Sequence, residues 1–286
     1  MRPILREATR DGVRVALTVA GSDSGGGAGI QADLKTFSAL GVYGASVVTA
    51  LTAQNTLGVQ AIHPIDPAFV RQQMDSVFGD LRIDAVKLGM LGGVEVVAAV
   101  AEGLAAWRPP HIVLDPVMVA KGGDRLLDPE AVALLRTRLL PLADLITPNL
   151  PEAGALLGRP APATRTEMEA VAAALRALGP ANVLLKGGHL ESDTSPDLLD
   201  TPTGQIWFEQ PRIVTRNTHG TGCSLSSAIA ARLAAGCGLA EAVAEAKSWL
   251  TSALRAADGL RLGGGIGPVH HFHALWPVPQ PGADHA

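Results

Sequence analysis

His219-Gly220-Thr221-Gly222-Cys223-Ser224-Leu225-Ser226-Ser227-Ala228-Ile229-Ala230-Ala231-Arg232-Leu233 joins a glycine-flanked turn to a run of small and aliphatic residues. The run reads as a helix that packs closely on its neighbours, and the turn leaves backbone N–H groups unpaired at that helix's start. Such a start holds a phosphate or a developing negative charge. Cys223 falls in the first turn, where the positive end of the helix dipole is expected to lower a thiol's pKa. An anion cradle with a polarised side chain beside it points to group transfer, of phosphoryl above all. On its own, the same motif also fits a turn that only lets a helix pack tightly on a strand.

Working outward from this turn, short apolar runs alternate with helical patterns. The first strand is expected at 14–20, the next at 45–51, and others at 85–88, 112–114, 144–147 and 183–186. Helical periodicity lies between them near 30–40, 67–79, 93–107, 129–140, 151–157 and 166–178. Strands without polar alternation, separated by helices, predict an α/β fold: a large, mostly parallel central sheet with helices on both faces. A β-hairpin is expected within 204–215, pairing 205–208 with 212–215. No linker or internal repeat divides the chain, so 1–286 reads as one domain, with 1–12 and 277–286 as loose tails.

Composition narrows the functional classes. The 286 residues are 47% hydrophobic and 17% charged, with 32 Gly, 20 Pro and a net charge of −4. No cluster of Lys or Arg offers a footprint for nucleic acid or an anionic membrane. No apolar run approaches the roughly 18 residues of a membrane span, and the N-terminus lacks the pattern of a secretory signal. Cys223 and Cys237 are too few for a disulfide framework and lie outside metal-ligand spacing. A cytoplasmic, reducing setting is expected.

Chemistry-bearing residues recur at the expected strand ends: Asp23 and Asp33, Gln54 and Asn55, Gly89-Met90, Asp115-Pro116-Val117-Met118, Asn149 to Glu152, and Lys186-Gly187-Gly188-His189. Open α/β sheets bind ligands in the crevice beyond those ends, so one active-site rim is expected there. Gly27-Ala28-Gly29 begins a partial dinucleotide fingerprint, but Gln54 stands where an acidic ribose ligand is required. No P-loop occurs. Asn149 and Glu152, three apart, suit either Mg²⁺ binding or a helix capping box. Asp115 is either a further metal carboxylate or a turn residue, and Lys186 either a phosphate contact or a solvated lysine. His270, His271 and His273 lack metal partners at proper spacing and read as structural or rim residues.

Taken in order, Ala20-Gly21-Ser22-Asp23-Ser24-Gly25-Gly26-Gly27-Ala28-Gly29, Thr49-Ala50-Leu51-Thr52-Ala53-Gln54-Asn55, Lys87-Leu88-Gly89-Met90, Leu114-Asp115-Pro116-Val117-Met118, Thr147-Pro148-Asn149-Leu150-Pro151-Glu152, Lys186-Gly187-Gly188-His189, Asn217 to Cys223 and Gly267-Pro268-Val269-His270-His271 carry a resemblance. The chain resembles the ribokinase-like superfamily, and within it the hydroxymethylpyrimidine/phosphomethylpyrimidine kinases of thiamine biosynthesis. The resemblance spans about 14–275. It implies that ATP with Mg²⁺ phosphorylates 4-amino-5-hydroxymethyl-2-methylpyrimidine and then its monophosphate, in a homodimer.

By the same resemblance, Gln54, Asp33, Gly21, Met90 and Val117 form the pyrimidine pocket. Asn149 and Glu152 serve as the metal-and-phosphate pair and Lys186 contacts the nucleotide; Asp115, read from its own position, is expected beside them as a metal carboxylate. Gly220, Thr221, Gly222 and Cys223 form the anion hole, with Cys223 where most of the superfamily has an aspartate base. Some relatives with this turn phosphorylate pyridoxal, so a pyridoxal-type vitamin kinase is the alternative. A catalytically silent ligand-binding protein on the same scaffold is the remaining one.

Overall fold

The computed structural model describes residues 12–118 and 129–276; most of the expected N-terminal tail and the whole 277–286 tail lie outside them. The chain runs through β1 (Val15–Ala20), α1 (Gly29–Ala39), β2 (Tyr43–Val48), β3 (Ala50–Asn55), β4 (Gly58–Pro64), α2 (Pro67–Asp80), β5 (Ala85–Leu88) and α3 (Val94–Trp107). It continues with β6 (Ile112–Leu114), α4 (Pro129–Leu134), β7 (Leu145–Ile146), α5 (Leu150–Leu157), α6 (Arg165–Arg176), β8 (Asn182–Lys186), β9 (Thr194–Thr201), β10 (Gly204–Pro211), α7 (Thr221–Ala234) and α8 (Leu239–Ala256).

Eight strands form one sheet in the order β10-β9-β8-β7-β6-β5-β1-β2. The six from β2 to β8 in that order run parallel, and β9 and β10 add an antiparallel edge. Neighbouring strand residues feed opposite layers, as the two-residue period of a strand requires. Leu17, Val86, Ile112, Ile146 and Leu185 pack with Val97, Val100, Leu156 and Val171 on one face. Ala16, Ala85, Val113, Leu145 and Leu184 pack with Phe37, Ala228, Ile229 and Val243 on the other. Both faces are dry, which explains why the strands lack polar alternation.

Two expectations from the sequence are corrected. The apolar run at 45–51 is not one strand: β2 ends at Val48, and Thr49 turns the chain away. Its N–H bonds Ala20 O at 3.0 Å and its hydroxyl bonds Met90 O at 2.8 Å. The residues beyond Thr49 form β3, which pairs only with β4 in a separate two-stranded sheet. Gln54 and Asn55 therefore sit on a hairpin rather than at a strand end of the large sheet. The second correction concerns the 204–215 region. Its hairpin pairs β9 with β10 around Pro202-Thr203, Thr201 facing Gly204, and 212–215 holds no strand. The polar start of β9 hid it, although Pro196 to Asp200 are buried within the edge.

Candidate active site

The glycine turn folds as its residues dictate. Gly220 is the N-cap of α7 with φ 76°, a left-handed backbone that glycine adopts without strain, and a methyl there would lie 1.8 Å from Gly27 O;. The turn is thus seated directly on the 25–29 loop. No side chain caps α7; Thr221 N–H donates to Thr218 O at 3.4 Å, and the N–H groups of Gly222 and Cys223 are left for the space in front of the helix;. A Cβ on Gly222 would lie 3.4 Å from Lys186 Nζ and 3.5 Å from Asp115 Oδ2, which places the ammonium and the carboxylate beside the same helix start.

Lys186 ends β8, and its Nζ donates to Asp115 Oδ1 at 2.8 Å; Thr147 Oγ1 donates to the same oxygen at 3.1 Å. Burial alone would weaken the lysine's hold on its proton, but Asp115 and Glu152 outweigh it and keep the group charged. The Glu152 carboxyl is pushed up to about 7, first by burial and further by the Asp115 charge, against the pull of Lys186. Both readings of the Asn149/Glu152 spacing meet here. Glu152 N–H donates to Asn149 Oδ1 and Asn149 N–H donates to Glu152 Oε2, each at 2.8 Å, a complete capping box;. The Asn149 amide oxygen thus gives one lone pair to capping α5 and keeps a second;. Glu152 keeps its second carboxylate oxygen, so Asp115 and Glu152 remain as the charged oxygen donors.

Among the described residues, no cluster of three or more His, Cys, Asp and Glu is arranged to hold a metal by itself. Two like-charged carboxylates near one lysine suit a hard cation that keeps most of its water and shares phosphate oxygens. Mg²⁺ fits this donor set.

The expected pocket residues come together only in part. Gly21 and Met90 meet: Gly21 N–H donates to Met90 O at 3.0 Å, and a Cβ on Gly21 would lie 2.3 Å from the Met90 methyl. Gly21 O accepts from Ile30 N at 3.0 Å. Gln54 reaches over from the hairpin, its backbone bonded to Ser24 Oγ through two 2.8 Å contacts. Half-buried Val117 follows Asp115 beyond the end of β6.

Asp33 does not face the pocket, contrary to the expectation. It lies inside α1 at 0% exposure, its oxygens taken by Lys87 Nζ, Thr18 Oγ1 and Ser227 Oγ at 2.6–2.9 Å. A saturated, buried carboxylate has no lone pair to offer a ligand. The expected lowering of the Cys223 thiol is also overturned. Burial dominates and pushes it up to about 11, despite the opposing pull of Lys87.

Three residues beneath or beside the pocket were not singled out as site residues. Lys87 stands in the apolar run of β5, where a charged residue in a buried strand is itself the signal. Asp23 and His219 stand in the quoted motifs, but only the fold brings them within 2.8 Å of each other.

The family model described as phosphomethylpyrimidine kinase matches residues 23–270. The hydroxymethylpyrimidine/phosphomethylpyrimidine kinase of Escherichia coli is 59% identical over 261 residues, covering 91% of this chain and 98% of that protein. The thiamine biosynthesis bifunctional protein ThiED of Geobacter sulfurreducens is 55% identical over 90% of this chain and 52% of its own length. A Bacillus subtilis pyridoxal kinase, solved as an ADP complex, superposes with a TM-score of 0.85 at 38% identity, covering 92% of this chain and 99% of that one. The described helices include none long and apolar enough to cross a membrane. With its parallel sheet, its uncapped glycine turn and these matches, the chain belongs to the phosphomethylpyrimidine kinase family, on the ribokinase-like fold.

Proposed function

We propose that this protein is an ATP-dependent kinase that phosphorylates 4-amino-5-hydroxymethyl-2-methylpyrimidine and then phosphorylates the monophosphate to the diphosphate, for thiamine diphosphate synthesis. One observation carries the reading: the uncapped start of α7 stands beside the Lys186–Asp115 pair and is seated on the 25–29 loop, whose Gly29 lies against Gly21 in the Gly21–Met90 contact. That is a phosphate cradle joined to an acceptor pocket.

In the first step, the acceptor hydroxyl oxygen forms a bond to the γ-phosphorus of ATP and the bond to the β-phosphate oxygen breaks. The N–H groups of Gly220, Gly222 and Cys223 and the Lys186 ammonium are aimed at the charge spread over the transferring group, while the Thr221 N–H is held by Thr218 O;. Asp115 and Glu152 would hold Mg²⁺, which would supply neutralisation of the phosphate charge. Cys223 is the side chain beside the acceptor that can take the hydroxyl proton once deprotonated, while the second step, with a phosphate oxygen as acceptor, needs no base. Gln54 supplies a donor and an acceptor to the amino group and ring nitrogen of the pyrimidine, with Met90 and Val117 as apolar walls. The protein acts as one domain and a homodimer in the cytoplasm.

The resemblance to a pyridoxal kinase makes the second reading specific, since the pyridoxal ring also carries a hydroxymethyl group. An ATP-dependent assay of the purified protein with both acceptors, resolving mono- and diphosphate, decides between them. Sequential mono- and diphosphate from the aminopyrimidine is the expected outcome. A preference for pyridoxal of more than about tenfold reverses the assignment, and no turnover with either acceptor points to a silent binding protein.

A further inference from the structure

His219 and Asp23 form a contact that reaches Gln54 and decides which way its amide faces. Asp23 is 2% exposed and lies under the glycine loop. Its Oδ1 accepts from Gly25 N at 2.8 Å, and its Oδ2 accepts from Gly27 N at 3.0 Å and Ala28 N at 2.8 Å. Burial would raise its pKa, but His219 and these amides outweigh that and hold the group below its usual range. An ionised carboxylate only accepts hydrogen bonds. His219 Nε2, 2.8 Å from Asp23 Oδ2, therefore carries a hydrogen and donates it. The imidazole packs against the Gly27 backbone, where a Cβ would lie 2.4 Å from His219 Cδ2.

Gln54 Nε2 lies 3.4 Å from that same His219 Nε2, whose one hydrogen is already directed at Asp23, so the amide nitrogen finds no acceptor there;. Gln54 Oε1 lies 3.1 Å from Thr52 Oγ1, whose single hydrogen has a shorter acceptor in Ser22 O at 2.8 Å. The two oxygens compete for one hydrogen there. A half-turn of the amide resolves both conflicts, and a glutamine accommodates it at no steric cost, because oxygen and nitrogen are nearly the same size. We propose that His219, held by Asp23, is a positioning residue that fixes Gln54 with its oxygen toward His219 and its nitrogen toward Thr52, and thereby sets which pyrimidine edge the pocket accepts.

The inference rests on the aminopyrimidine reading of Gln54. In this orientation, the remaining lone pair of Gln54 Oε1 accepts from the 4-amino group and the remaining Nε2 hydrogen donates to the adjacent ring nitrogen. A 4-oxo analogue presents the reverse pattern, a carbonyl beside a ring N–H. To pair with it, Gln54 would have to turn its amino group back against the His219 N–H. The pocket thus rejects the 4-oxo ring through a residue that need not touch it.

Two measurements test this. A joint neutron and X-ray structure of the unliganded protein in D₂O locates the Gln54 amide deuterons. Deuterons on the atom facing Thr52 uphold the proposal, and deuterons on the atom facing His219 overturn it. Separately, kcat/KM is measured for the 4-amino acceptor and its 4-oxo counterpart. His219→Ala is expected to shrink the preference for the amino compound by roughly tenfold or more, while His219→Gln, which keeps an N–H donor, holds it within about threefold of the parent. Equal losses on both compounds in His219→Ala would overturn the proposal and leave His219 a structural residue. If the parent protein fails to turn over the 4-amino compound, the functional reading falls, and the deuteron positions still decide the orientation of Gln54.

Discussion

Lys87 Nζ lies 2.9 Å from both carboxylate oxygens of Asp33, and solvent reaches neither side chain. The pair joins β5 to α1, and Ser227 extends it to α7, one helical turn after Cys223. Removing one partner of a buried pair leaves the other charge uncompensated. Lys87→Met or Asp33→Asn is expected to lose about 3–5 kcal/mol of stability, and a Lys87→Met/Asp33→Leu double variant to regain most of it. Urea titration of the three variants measures this, and additive losses in the double variant would refute the coupling.

The two glycines of the turn are expected to fail differently. At Gly220 the left-handed backbone and the 1.8 Å approach to Gly27 O leave no room for a methyl, so Gly220→Ala lowers the melting temperature and activity together. At Gly222 the nearest atoms lie 3.4 Å and 3.5 Å away, so an added methyl fits but stands in front of Lys186 and Asp115. Gly222→Ala should therefore keep its melting temperature and lose kcat by ~100-fold, the scale seen when a donor to a developing anion is displaced. A Gly222→Ala protein that is fully active would place the phosphate elsewhere.

The buried thiol sets a pH profile. With Cys223 pushed up to about 11, the deprotonated form is scarce at neutral pH and grows tenfold per pH unit below that value;. If Cys223 takes the hydroxyl proton, the first phosphorylation should climb with pH between about 7 and 9 while the second stays flat. Cys223→Ala should flatten the first profile and slow the first step more than the second. Equal losses in both steps, or a first step already independent of pH in the parent, would remove Cys223 from proton transfer.

His271 makes a second pH-dependent contribution, to stability. Burial, with the nearby Lys35 charge, lowers its pKa to about 3, and its Nε2 lies 3.0 Å from Ser224 Oγ on α7. The unfolded chain, titrating near the ordinary histidine value, binds this proton between about pH 6.5 and 3, whereas the folded state does not. Stability is therefore complete above pH 6.5 and falls as the pH drops through this window. Between pH 7 and 5 the loss is about 2 kcal/mol, and His271→Gln, which cannot titrate, should abolish that share. Unfolding curves at the two pH values for both proteins check it. Identical acid sensitivity would show that another group dominates.

The sequence alone determined the class of fold and the glycine turn that starts α7, because both rest on local rules. Two-face burial erases polar alternation within each strand of 85–88, 112–114 and 183–186, and the glycines of 219–223 are needed where backbone bends sharply before a helix. Motif order across the chain carried the family. The tertiary structure decided what depends on distant partners. Asp33 became a buried counter-ion because Lys87, 54 residues away, enters from another strand. Cys223 rose rather than fell because burial outweighs the pull of Lys87. Asn149 was drawn to capping α5 because its amide oxygen meets the Glu152 N–H. Gln54 left the sheet on a hairpin and met His219, 165 residues on, and that contact exists only once the β3–β4 hairpin and the α7 turn close over the same loop.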